Sequence, residues 1–414
     1  MAEPRILAGL TGFDRFSDIV GLRPPEAARR RALLERSFMP FQVTHYYAEL
    51  IADTPEPHKT NLINIVVPPE GARPFTGRFD PYGNVRVRQD ATNFLQHKYE
   101  KTLLLHIDDF CISNCQFCYK VNEIRHEKTR PVTYDDKLRA SLAYLDERPE
   151  IDNVLFTGGD PASFRTTKQL VDLIAGLLSH ERIRVVRFAT KGLAYDPERF
   201  LDPDLLDFFA AAHARAGKQV SVIAHVNHPA ELRGRSAVAI RALQNAGVQI
   251  RAQPAMVRGV NDSVETLIEL QRAFLDLKLI SYYMTVFMPV RGVEQYAIRL
   301  HDAFAAFAES KRHLSGLEKK GVLLASHDFG KLEICGFLPK PESPEKIVLK
   351  WHQAAMPQYL PAALRDRVGT RPEDVLLLDY EAAGTYCIDH VFARNALPYF
   401  DADGILRNVS GAAA

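Results

Sequence analysis

Three cysteines, Cys111, Cys115 and Cys118, lie within eight positions of the chain and are spaced Cys-x₃-Cys-x₂-Cys. The chain of 414 residues holds only five cysteines, too few for a disulfide framework, so three in one short segment are typical of a metal or redox site. A [4Fe–4S] cluster normally takes four thiolates. Three thiolates leave one iron with an open position, where a small molecule can bind and accept an electron.

The alternative is a zinc site in which a histidine supplies the fourth ligand. Structural zinc sites usually combine two separated Cys-x₂-Cys-like pairs, and the sequence contains no second pair. The spacing therefore favours the iron–sulfur cluster. The two remaining cysteines, Cys335 and Cys387, stand alone, and we expect each to be a small apolar residue of the core.

Short apolar runs alternate with longer amphipathic segments over residues 101–290. The candidate strands are 103–107, 153–157, 185–190, 220–226, 248–255 and 282–287. The candidate helices are 167–179, 205–214, 237–245 and 264–277. Strands that alternate with helices imply a parallel sheet with right-handed crossovers and helices on its outer face. We therefore predict an α/β fold, a partial (β/α)₆ barrel, with reactive groups at the carboxyl ends of its strands.

Polar segments stand at those predicted strand ends. The cysteine loop follows the first strand, the run Thr-Gly-Gly-Asp-Pro at 157–161 ends the second, His225 ends the fourth and Gln253 lies on the fifth. Glycines let backbone N–H and C=O groups approach a ligand closely. The same Gly-Gly-Asp-Pro run would also form a plain strand-to-helix turn, so on its own it does not identify a ligand site.

Two extensions flank the predicted core. Residues 1–100 form an N-terminal extension with helix-like stretches at 25–36 and 46–51, followed by a packed loop rich in proline and glycine. Residues 291–414 form a C-terminal segment whose tail is expected to cap the barrel or to contact a second copy of the chain. The elements predicted within it are a helix at 302–317 and strands at 322–325 and 332–336.

The composition is that of an ordinary globular protein, with 46% hydrophobic and 25% charged residues and a formal net charge of +1. A balanced charge gives no electrostatic case for a nucleic-acid or membrane partner. No apolar run approaches the roughly 20 residues of a membrane span, and the first residues do not have the pattern of a secretory signal. We therefore expect a cytoplasmic protein.

Beyond the cysteines, several motifs occur in the order and at the intervals found in one family of radical S-adenosylmethionine (SAM) enzymes. Over roughly residues 39–352 the chain resembles the lysine 2,3-aminomutase family. The matching segments are 41–51, 97–101, 111–120, 157–161, 225–229, 253, 258–262, 329–331 and 343–349. Several ordered matches make a chance likeness improbable, and the resemblance implies a radical SAM barrel that carries a [4Fe–4S] cluster.

The resemblance also assigns roles to the polar strand ends. It implies that the three cysteines bind the cluster and that SAM binds at its open iron. Gly158, Gly159 and Asp160 would hold the amino group of SAM, and His225 and Gln253 would line the cofactor cleft.

A second cofactor, pyridoxal 5′-phosphate (PLP), is implied by the resemblance, with Lys331 as the catalytic lysine that binds it covalently. An unprotonated lysine amine suits this role, and burial lowers the pKa of a lysine. Lys98 and Lys101 stand where the family has arginines for the PLP phosphate, although a solvated charged turn explains them equally well. The family also has more glycines before the lysine than this chain, which reads His-Asp-Phe-Gly at 327–330.

The substrate contacts differ from those of the lysine enzymes. By resemblance Lys120 replaces the arginine that binds the substrate's α-carboxylate. The family's lysine enzymes place two aspartates against the distal ammonium; the first position corresponds to Met288, and the second to Asp328 or Ser326. An ammonium buried against Met288 would lack compensation at a cost of several kcal/mol, so we expect L-lysine to be a poor substrate.

The resemblance thus implies an isomerase of the intramolecular aminotransferase type: a radical SAM, PLP-dependent 2,3-aminomutase that moves the α-amino group of an amino acid other than lysine to the β carbon. Its partners would be a small amino acid, a reducing electron donor such as flavodoxin or ferredoxin, and further copies of itself in a homo-oligomer. Two alternatives stay open. One is a family member with shifted chemistry (an epimerase, dehydrogenase or lyase), with or without PLP; the other is a non-catalytic zinc protein that binds a partner.

Overall fold

The structure is a computed structural model. It describes residues 5–88, 94–122, 132–163, 166–288, 290–339, 345–365 and 375–408. Residues 343 and 344, which belong to one of the matched motifs, lie outside these ranges.

Strands and helices are numbered here in chain order within the described residues. The strands are β1 (Ile6–Ala8), β2 (Gln42–Thr44), β3 (Leu95–Tyr99), β4 (Thr102–Asp108), β5 (Asn153–Gly158), β6 (Val185–Thr190), β7 (Gln219–Ala224), β8 (Gln249–Ala252), β9 (Ala255–Met256), β10 (Ile280–Ser281), β11 (Met284–Val286), β12 (Leu323–His327), β13 (Gly330–Leu338), β14 (Glu345–Ala354), β15 (Val375–Tyr380), β16 (Tyr399–Phe400) and β17 (Leu406–Arg407). The α-helices are α1 (Gly9–Val20), α2 (Pro24–Glu35), α3 (His45–Ala52), α4 (His58–Val66), α5 (Tyr134–Asp146), α6 (Thr167–Ser179), α7 (Gly192–Tyr195), α8 (Pro203–His213), α9 (Arg235–Asn245), α10 (Val264–Asp276), α11 (Leu300–Arg312), α12 (Ala362–Arg365) and α13 (Ile388–Arg394).

Parallel pairing through two connected sheets builds an open barrel. The first sheet has the order β10-β8-β7-β6-β5-β4-β3, in which only β3 runs antiparallel to its neighbour. The second has the order β15-β14-β13-β12-β11-β9, parallel from β9 to β12 and antiparallel beyond. The pairs β8/β9 and β10/β11 are each one path of the chain and connect the two sheets. With β4, β5, β6 and β7 they make six parallel paths, and β12 follows β11 as a further parallel strand. This confirms the predicted α/β class and partial barrel.

Two predicted strands are interrupted where the chain passes between the sheets. The path predicted at 248–255 breaks after β8 at Gln253 and Pro254, and proline has no N–H to donate to a ladder. The path predicted at 282–287 breaks at Tyr282 and Tyr283. The other four predicted strands end within two residues of the observed ones.

The outer faces of the strands pack against helices, and α6 illustrates why the helices could be predicted. It spans Thr167–Ser179, as predicted, and the Thr166 side chain caps it by accepting a hydrogen bond from the Gln169 N–H. The apolar face buried against the sheet consists of Leu170, Leu173, Ile174, Leu177 and Leu178. The inner face is polar in part: on β6, Arg187 donates to the Asn153 side chain at 2.7 Å.

The N-terminal extension contains more helix than the sequence predicts. Helices α2 and α3 are confirmed to within a residue or two, whereas α1 and α4 were not predicted. Gly12 of α1 packs so closely on β1 that a Cβ atom there would lie 2.7 Å from the backbone carbon of Leu7. The neighbouring Phe13 and Phe16 are buried against Phe41, so α1 belongs to the core although its glycines suggest a loop.

The C-terminal segment extends the second sheet. Its predicted helix and two strands are present as α11, β12 and β13, and the tail adds β15, which pairs antiparallel with β14 from Glu345↔Tyr380 to Lys350↔Val375. The prediction that Cys335 is buried was wrong. It follows the buried Ile334 on β13, so its side chain points to the opposite, exposed face of the strand. Within the described ranges, every helix is too short or too polar to cross a membrane.

Candidate active site

The cysteine loop follows β4 and is held in place by the N-terminal extension. The side-chain amide of Gln42 donates to the Cys111 carbonyl at 2.6 Å, and the Asn114 N–H donates back to the Gln42 carbonyl at 2.8 Å. The Thr44 N–H donates to the Ser113 hydroxyl at 3.0 Å. Strand β2, which contains Gln42 and Thr44, therefore fixes the first half of the loop.

Gln116, between the second and third cysteines, anchors the other half. Its backbone N–H donates to the Ile65 carbonyl at 2.8 Å, and its side-chain amide donates to the Met39 carbonyl at 3.2 Å. The Ser37 hydroxyl donates to its side-chain oxygen at 2.7 Å, and the residue is fully buried. Buried polar groups that are satisfied in this way specify one conformation of a loop. Sequence reasoning missed Gln116 because its partners lie 50 or more residues away.

The two glycines at the end of β5 lie directly against the start of the cysteine loop. A Cβ atom on Gly158 would lie 2.1 Å from the Asp108 carbonyl oxygen, and one on Gly159 would lie 2.3 Å from that of Phe110. The Gly159 N–H donates to the Asp108 carbonyl, and the Asp160 N–H donates to the Phe110 carbonyl at 2.9 Å. No side chain fits at either glycine, so this contact requires glycine at both positions.

The Asp160 carboxylate joins the end of β5 to the end of β6. One oxygen accepts from the Thr190 hydroxyl at 2.7 Å and the Ala162 N–H at 2.8 Å, and the other accepts from the Lys191 N–H at 2.8 Å. Burial raises its pKa, against these hydrogen bonds, which lower it. Asp160 therefore has a clear positioning role, and its contact with SAM stays a prediction.

The thiols of Cys111 and Cys115 lie in surroundings that disfavour negative charge. Burial raises the pKa of Cys111 far above its ordinary value, and the thiols of Cys118 and Cys115 raise it further; burial also raises the pKa of Cys115. Iron relieves this penalty because a coordinated thiol is deprotonated outright. In the part of the chain that the structure describes, no three His, Cys, Asp or Glu side chains converge on a single metal ion. A [4Fe–4S] cluster does not require three side chains to converge on one ion, because each thiolate binds a different iron. The three cysteines therefore fit such a cluster.

His225 and Gln253 meet at the ends of β7 and β8. The Nδ1 atom of His225 lies 3.2 Å from the Gln253 carbonyl oxygen, which can only accept, so this contact places the proton on Nδ1. Burial lowers the pKa of His225 to about 4, so the ring is neutral near pH 7. Lys191 donates to the His225 carbonyl and to the Asn227 side chain, both at 3.2 Å. The structure thus brings together the two residues predicted to line the cleft.

Lys331 is the second residue of β13 and lies within a group of aromatic rings. Its amine donates to the Tyr283 hydroxyl at 2.8 Å and lies 3.4 Å from the side-chain oxygen of Gln353. The nitrogen is also 5.3 Å from the centroid of the Tyr99 ring and 4.9 Å from that of Tyr283. Burial lowers the Lys331 pKa to about 8. An amine of low pKa beside flat aromatic surfaces fits PLP, whose aldehyde needs an amine and whose ring can stack.

Lys98 and Lys101 differ sharply in their surroundings. Lys98 is buried and donates to the Tyr82 and His327 carbonyls, both at 2.9 Å, while its own carbonyl accepts from the Met356 N–H at 2.9 Å. It therefore links the edge strand β3 of the first sheet to β12 of the second, and burial lowers its pKa to about 8. Lys101 is exposed on the turn before β4, so the structure does not bury it beside Lys98.

Lys120 reaches from the end of the cysteine loop to the end of β5. Its ammonium donates to the Thr157 hydroxyl at 3.0 Å and to the Gly158 carbonyl at 3.1 Å, and the side chain is buried. This cation therefore lies beside the glycines predicted to bind SAM.

Met288 and Asp328, two of the residues predicted at the distal end of the substrate, both lie near Arg78. Met288 is buried and lines a cavity of about 250 Å³ beside Arg78. Asp328 is also buried, and its carboxylate lies 2.6 Å from the Arg78 guanidinium. The same guanidinium lies 3.1 Å from Asp389 of the tail, which lies 2.8 Å from the ring of His327.

Sequence reasoning missed Arg78, Tyr283 and Asp389 as members of this region. Arg78 lies in the segment rich in proline and glycine, and Asp389 lies in the tail, where the sequence contains no recognisable motif. Only the folded chain brings them within reach of Asp328 and Lys331.

No family model matches the chain. It is 30% identical over 336 residues to a putative L-lysine 2,3-aminomutase of Aquifex aeolicus, an alignment that covers 81% of this chain and 86% of the relative. It is also 30% identical over 238 residues to a putative L-lysine 2,3-aminomutase of Treponema pallidum, covering 58% and 64%. A glutamate 2,3-aminomutase of Clostridioides difficile is 24% identical over 226 residues, covering 54% and 51%.

Proposed function

The chain belongs to the lysine 2,3-aminomutase family of radical SAM enzymes, and on that premise we propose that it is a PLP-dependent 2,3-aminomutase for an amino acid other than lysine. The observation that carries the proposal is the environment of Lys331, an amine of lowered pKa held by Tyr283 among aromatic rings. The reaction would move the α-amino group of the substrate to its β carbon.

The cysteine loop would hold the radical-generating part of the site. Cys111, Cys115 and Cys118 would hold a [4Fe–4S] cluster, which when bound would supply the electron for radical chemistry on SAM. The chain's own contribution is orientation. The backbone of Gly158 and Gly159 borders this loop, and hydrogen bonds to the N-terminal extension keep it rigid. The neutral ring of His225, held by the Gln253 carbonyl, would line the cleft next to it.

Lys331 would provide the amine that binds PLP, which supplies an electrophilic carbonyl for the migrating amino group. A pKa of about 8 leaves a substantial fraction of this amine unprotonated under mildly alkaline conditions, and the unprotonated amine is the nucleophile. Tyr283 accepts a hydrogen bond from the ammonium and so orients it. The enclosing rings would also exclude water from the reacting groups.

Two other lysines would bind anions. We assign the substrate's α-carboxylate to Lys120 and the PLP phosphate to Lys98, both as point charges, because lysine lacks the bidentate fork of arginine. Lys98 is the better supported of the two phosphate candidates because it is buried near Lys331, which contributes to lowering its pKa. Lys101 stays a prediction, and its exposed position offers it less support.

The charges around Met288 support a substrate other than lysine. A distal ammonium at Met288 would meet a buried thioether, and Asp328 is already paired with Arg78. The carboxylates that line the cavity beside Met288 are also paired, Asp389 with Arg78 and Asp401 with Arg407. Since the relatives of this chain include an enzyme named for glutamate, members of the family differ in the side chain that they accept.

The test is an anaerobic assay of the iron-loaded protein with dithionite, SAM, PLP and each of the twenty amino acids. We expect 5′-deoxyadenosine and a β-amino acid from one or a few substrates, with Lys331→Ala giving no β-amino acid. Release of methionine without any β-amino acid would contradict the aminomutase assignment while keeping the radical SAM one.

The hydrogen bonds of Lys98 favour one second candidate, an enzyme of this family with shifted chemistry that does not use PLP. Two of its three ammonium protons are donated to carbonyls, which leaves one for a phosphate. Borohydride treatment with PLP distinguishes the two candidates: a covalent adduct on Lys331 supports the aminomutase, and a protein without it supports the shifted chemistry.

A further inference from the structure

Tyr195 places its hydroxyl against one of the three cysteines. It ends the short helix α7, which follows β6, and only 2% of its surface is exposed. Its Oη lies 3.0 Å from Sγ of Cys115, a residue 80 positions earlier in the chain. A hydroxyl at this distance from sulfur is within hydrogen-bonding range, and solvent does not compete for it.

The position of the Tyr195 ring is fixed by its neighbours. The Tyr47 ring packs edge-on against it with centroids 4.7 Å apart, and the ammonium of Lys191 lies 5.3 Å from its centroid. The Thr44 hydroxyl donates to the Tyr195 carbonyl at 2.5 Å. Since Thr44 also donates to Ser113 of the cysteine loop, the same residue positions the tyrosine and the loop.

The direction of the hydrogen bond between Tyr195 and Cys115 follows from the chemistry of the two groups. A cysteine that binds iron is a thiolate and can only accept a hydrogen bond, whereas a phenol keeps its proton near neutral pH. With iron present, Tyr195 must therefore be the donor. Hydrogen bonds to cluster sulfurs are one of the determinants of the reduction potential of an iron–sulfur cluster.

We propose that Tyr195 donates a hydrogen bond to the Cys115 thiolate and thereby raises the reduction potential of the cluster. The proposal rests on the cluster that the proposed function assigns to the three cysteines. Reduction adds negative charge to the cluster and its ligands, and a donor at sulfur stabilises that added charge more than it stabilises the oxidised state. Tyr195 is then a positioning residue that makes the electron transfer to SAM accessible to a physiological donor.

A buried network connects this tyrosine to the predicted cofactor cleft. The hydroxyl of Tyr47, which packs on Tyr195, donates to Glu231 at 2.7 Å, and Glu231 pairs with Lys191 at 2.5 Å. Lys191 in turn donates to the carbonyl of His225. The cluster ligand and the cleft residue therefore share one rigid set of contacts, which holds the Tyr195 hydroxyl at the sulfur.

The decisive measurement is a redox titration of the anaerobically reconstituted full-length protein with dithionite, followed by electron paramagnetic resonance. In Tyr195→Phe, which keeps the ring and loses the hydroxyl, we expect reduction to become about tenfold less favourable. For a one-electron couple this is a shift of about 59 mV to lower potential. An unchanged potential in a variant that retains its full cluster would overturn the inference.

Tyr296→Phe is the matched control. Tyr296 is fully buried in the same hydrophobic cluster of side chains, but its hydroxyl donates to the Asn64 carbonyl at 2.7 Å instead of to sulfur. We expect this variant to lose stability and to keep the wild-type potential. An equal shift in both variants would show a general packing effect and contradict the proposal.

A second variant covers the case in which Tyr195→Phe does not fold. The substitution Tyr195→para-aminophenylalanine keeps the ring and a weaker donor, and it should give a potential below that of the wild type. A wild-type potential in this variant contradicts the inference as well. If the wild-type protein itself forms no cluster after reconstitution, the proposed function fails instead, and the two failures are thereby distinguishable.

Discussion

The amine of Lys331 and the hydroxyl of Tyr283 form a 2.8 Å hydrogen bond between β13 and the break that separates β10 from β11. Burial raises the Tyr283 pKa to about 12 and lowers the Lys331 pKa to about 8, so the phenol remains protonated while the amine titrates. This pairing places an amine of lowered pKa where the two sheets of the barrel meet.

The first prediction concerns the pH dependence of PLP capture. A lysine whose pKa is lowered loses its proton as pH rises through that pKa, so Lys331 should be mostly protonated at about pH 7 and mostly neutral at about pH 9. We expect the borohydride-fixed adduct on Lys331, measured by peptide mass spectrometry, to rise with a midpoint near pH 8. Exposed lysines, with an ordinary pKa of about 10.4, should react little over that range.

Lys331→Met serves as the control, because it keeps much of the volume of the side chain and removes the amine. It should abolish the adduct at position 331 without increasing the modification of Lys98. An adduct on Lys331 whose yield does not change between pH 7 and 9 would contradict the lowered pKa.

The second prediction tests the contact between β5 and the cysteine loop. Gly159→Ala would place a Cβ atom 2.3 Å from the Phe110 carbonyl oxygen, so the segment that leads to Cys111 must move. We expect a clear loss of iron and sulfide per chain after reconstitution. Gly316→Ala is the control, because a Cβ atom there meets nothing within 4 Å, and full cluster content in Gly159→Ala would contradict the role of this contact.

The third prediction concerns the ion pairs of the tail. Burial would raise the Asp389 pKa, but His327 and Arg78 outweigh it and lower the pKa to about 2. A carboxylate with a depressed folded pKa contributes stability that is present above its unfolded pKa of about 3.9 and is lost as pH falls toward the folded value. Asp389→Asn should therefore lower the free energy of unfolding by about 2–3 kcal/mol at pH 7.

Urea unfolding between pH 7 and pH 3 measures this effect. The difference between the wild type and Asp389→Asn should shrink as pH falls below about 4. Asp302→Asn removes an exposed partner of Arg299 and should change the free energy of unfolding by no more than about 0.5 kcal/mol. A constant difference across the pH range would show that Asp389 acts through packing rather than through its charge.

The sequence was sufficient to predict those elements and site residues whose positions depend on local contacts. Helix α6 could be predicted because its apolar residues recur on one face and Thr166 caps it, and the cysteine loop could be recognised because its three ligands lie within eight residues. Helix α1 could not, since Gly12 is explained only by its close approach to Leu7. Glycine indicates a loop unless the partner that needs the space is known.

The candidate site could likewise be predicted from the sequence only where its residues belong to short local motifs. Its cysteines and Lys331 belong to short motifs, whereas the residues that set their chemistry come from distant segments, as Tyr195 does for Cys115. The ion pair of Asp328 with Arg78 joins segments 250 residues apart, and no local pattern could indicate it. Long-range pairing of this kind follows from how distant segments pack together in the folded chain rather than from periodicity.

The last prediction concerns the choice of substrate, which we expect Met288 to determine. If the distal end of the substrate lies at this residue, L-lysine must leave an ammonium without compensation, at a cost of several kcal/mol. A penalty of about 3 kcal/mol corresponds to roughly a hundredfold loss, so kcat/KM for L-lysine should be about 100-fold below that of the best amino acid. Met288→Asp should narrow this gap by adding a carboxylate, and Met288→Leu, which stays apolar, should leave it unchanged. The ratio of kcat/KM values is measured for each variant by mass spectrometry of the β-amino acid products under anaerobic conditions. L-lysine as the best wild-type substrate would show that the distal end lies elsewhere.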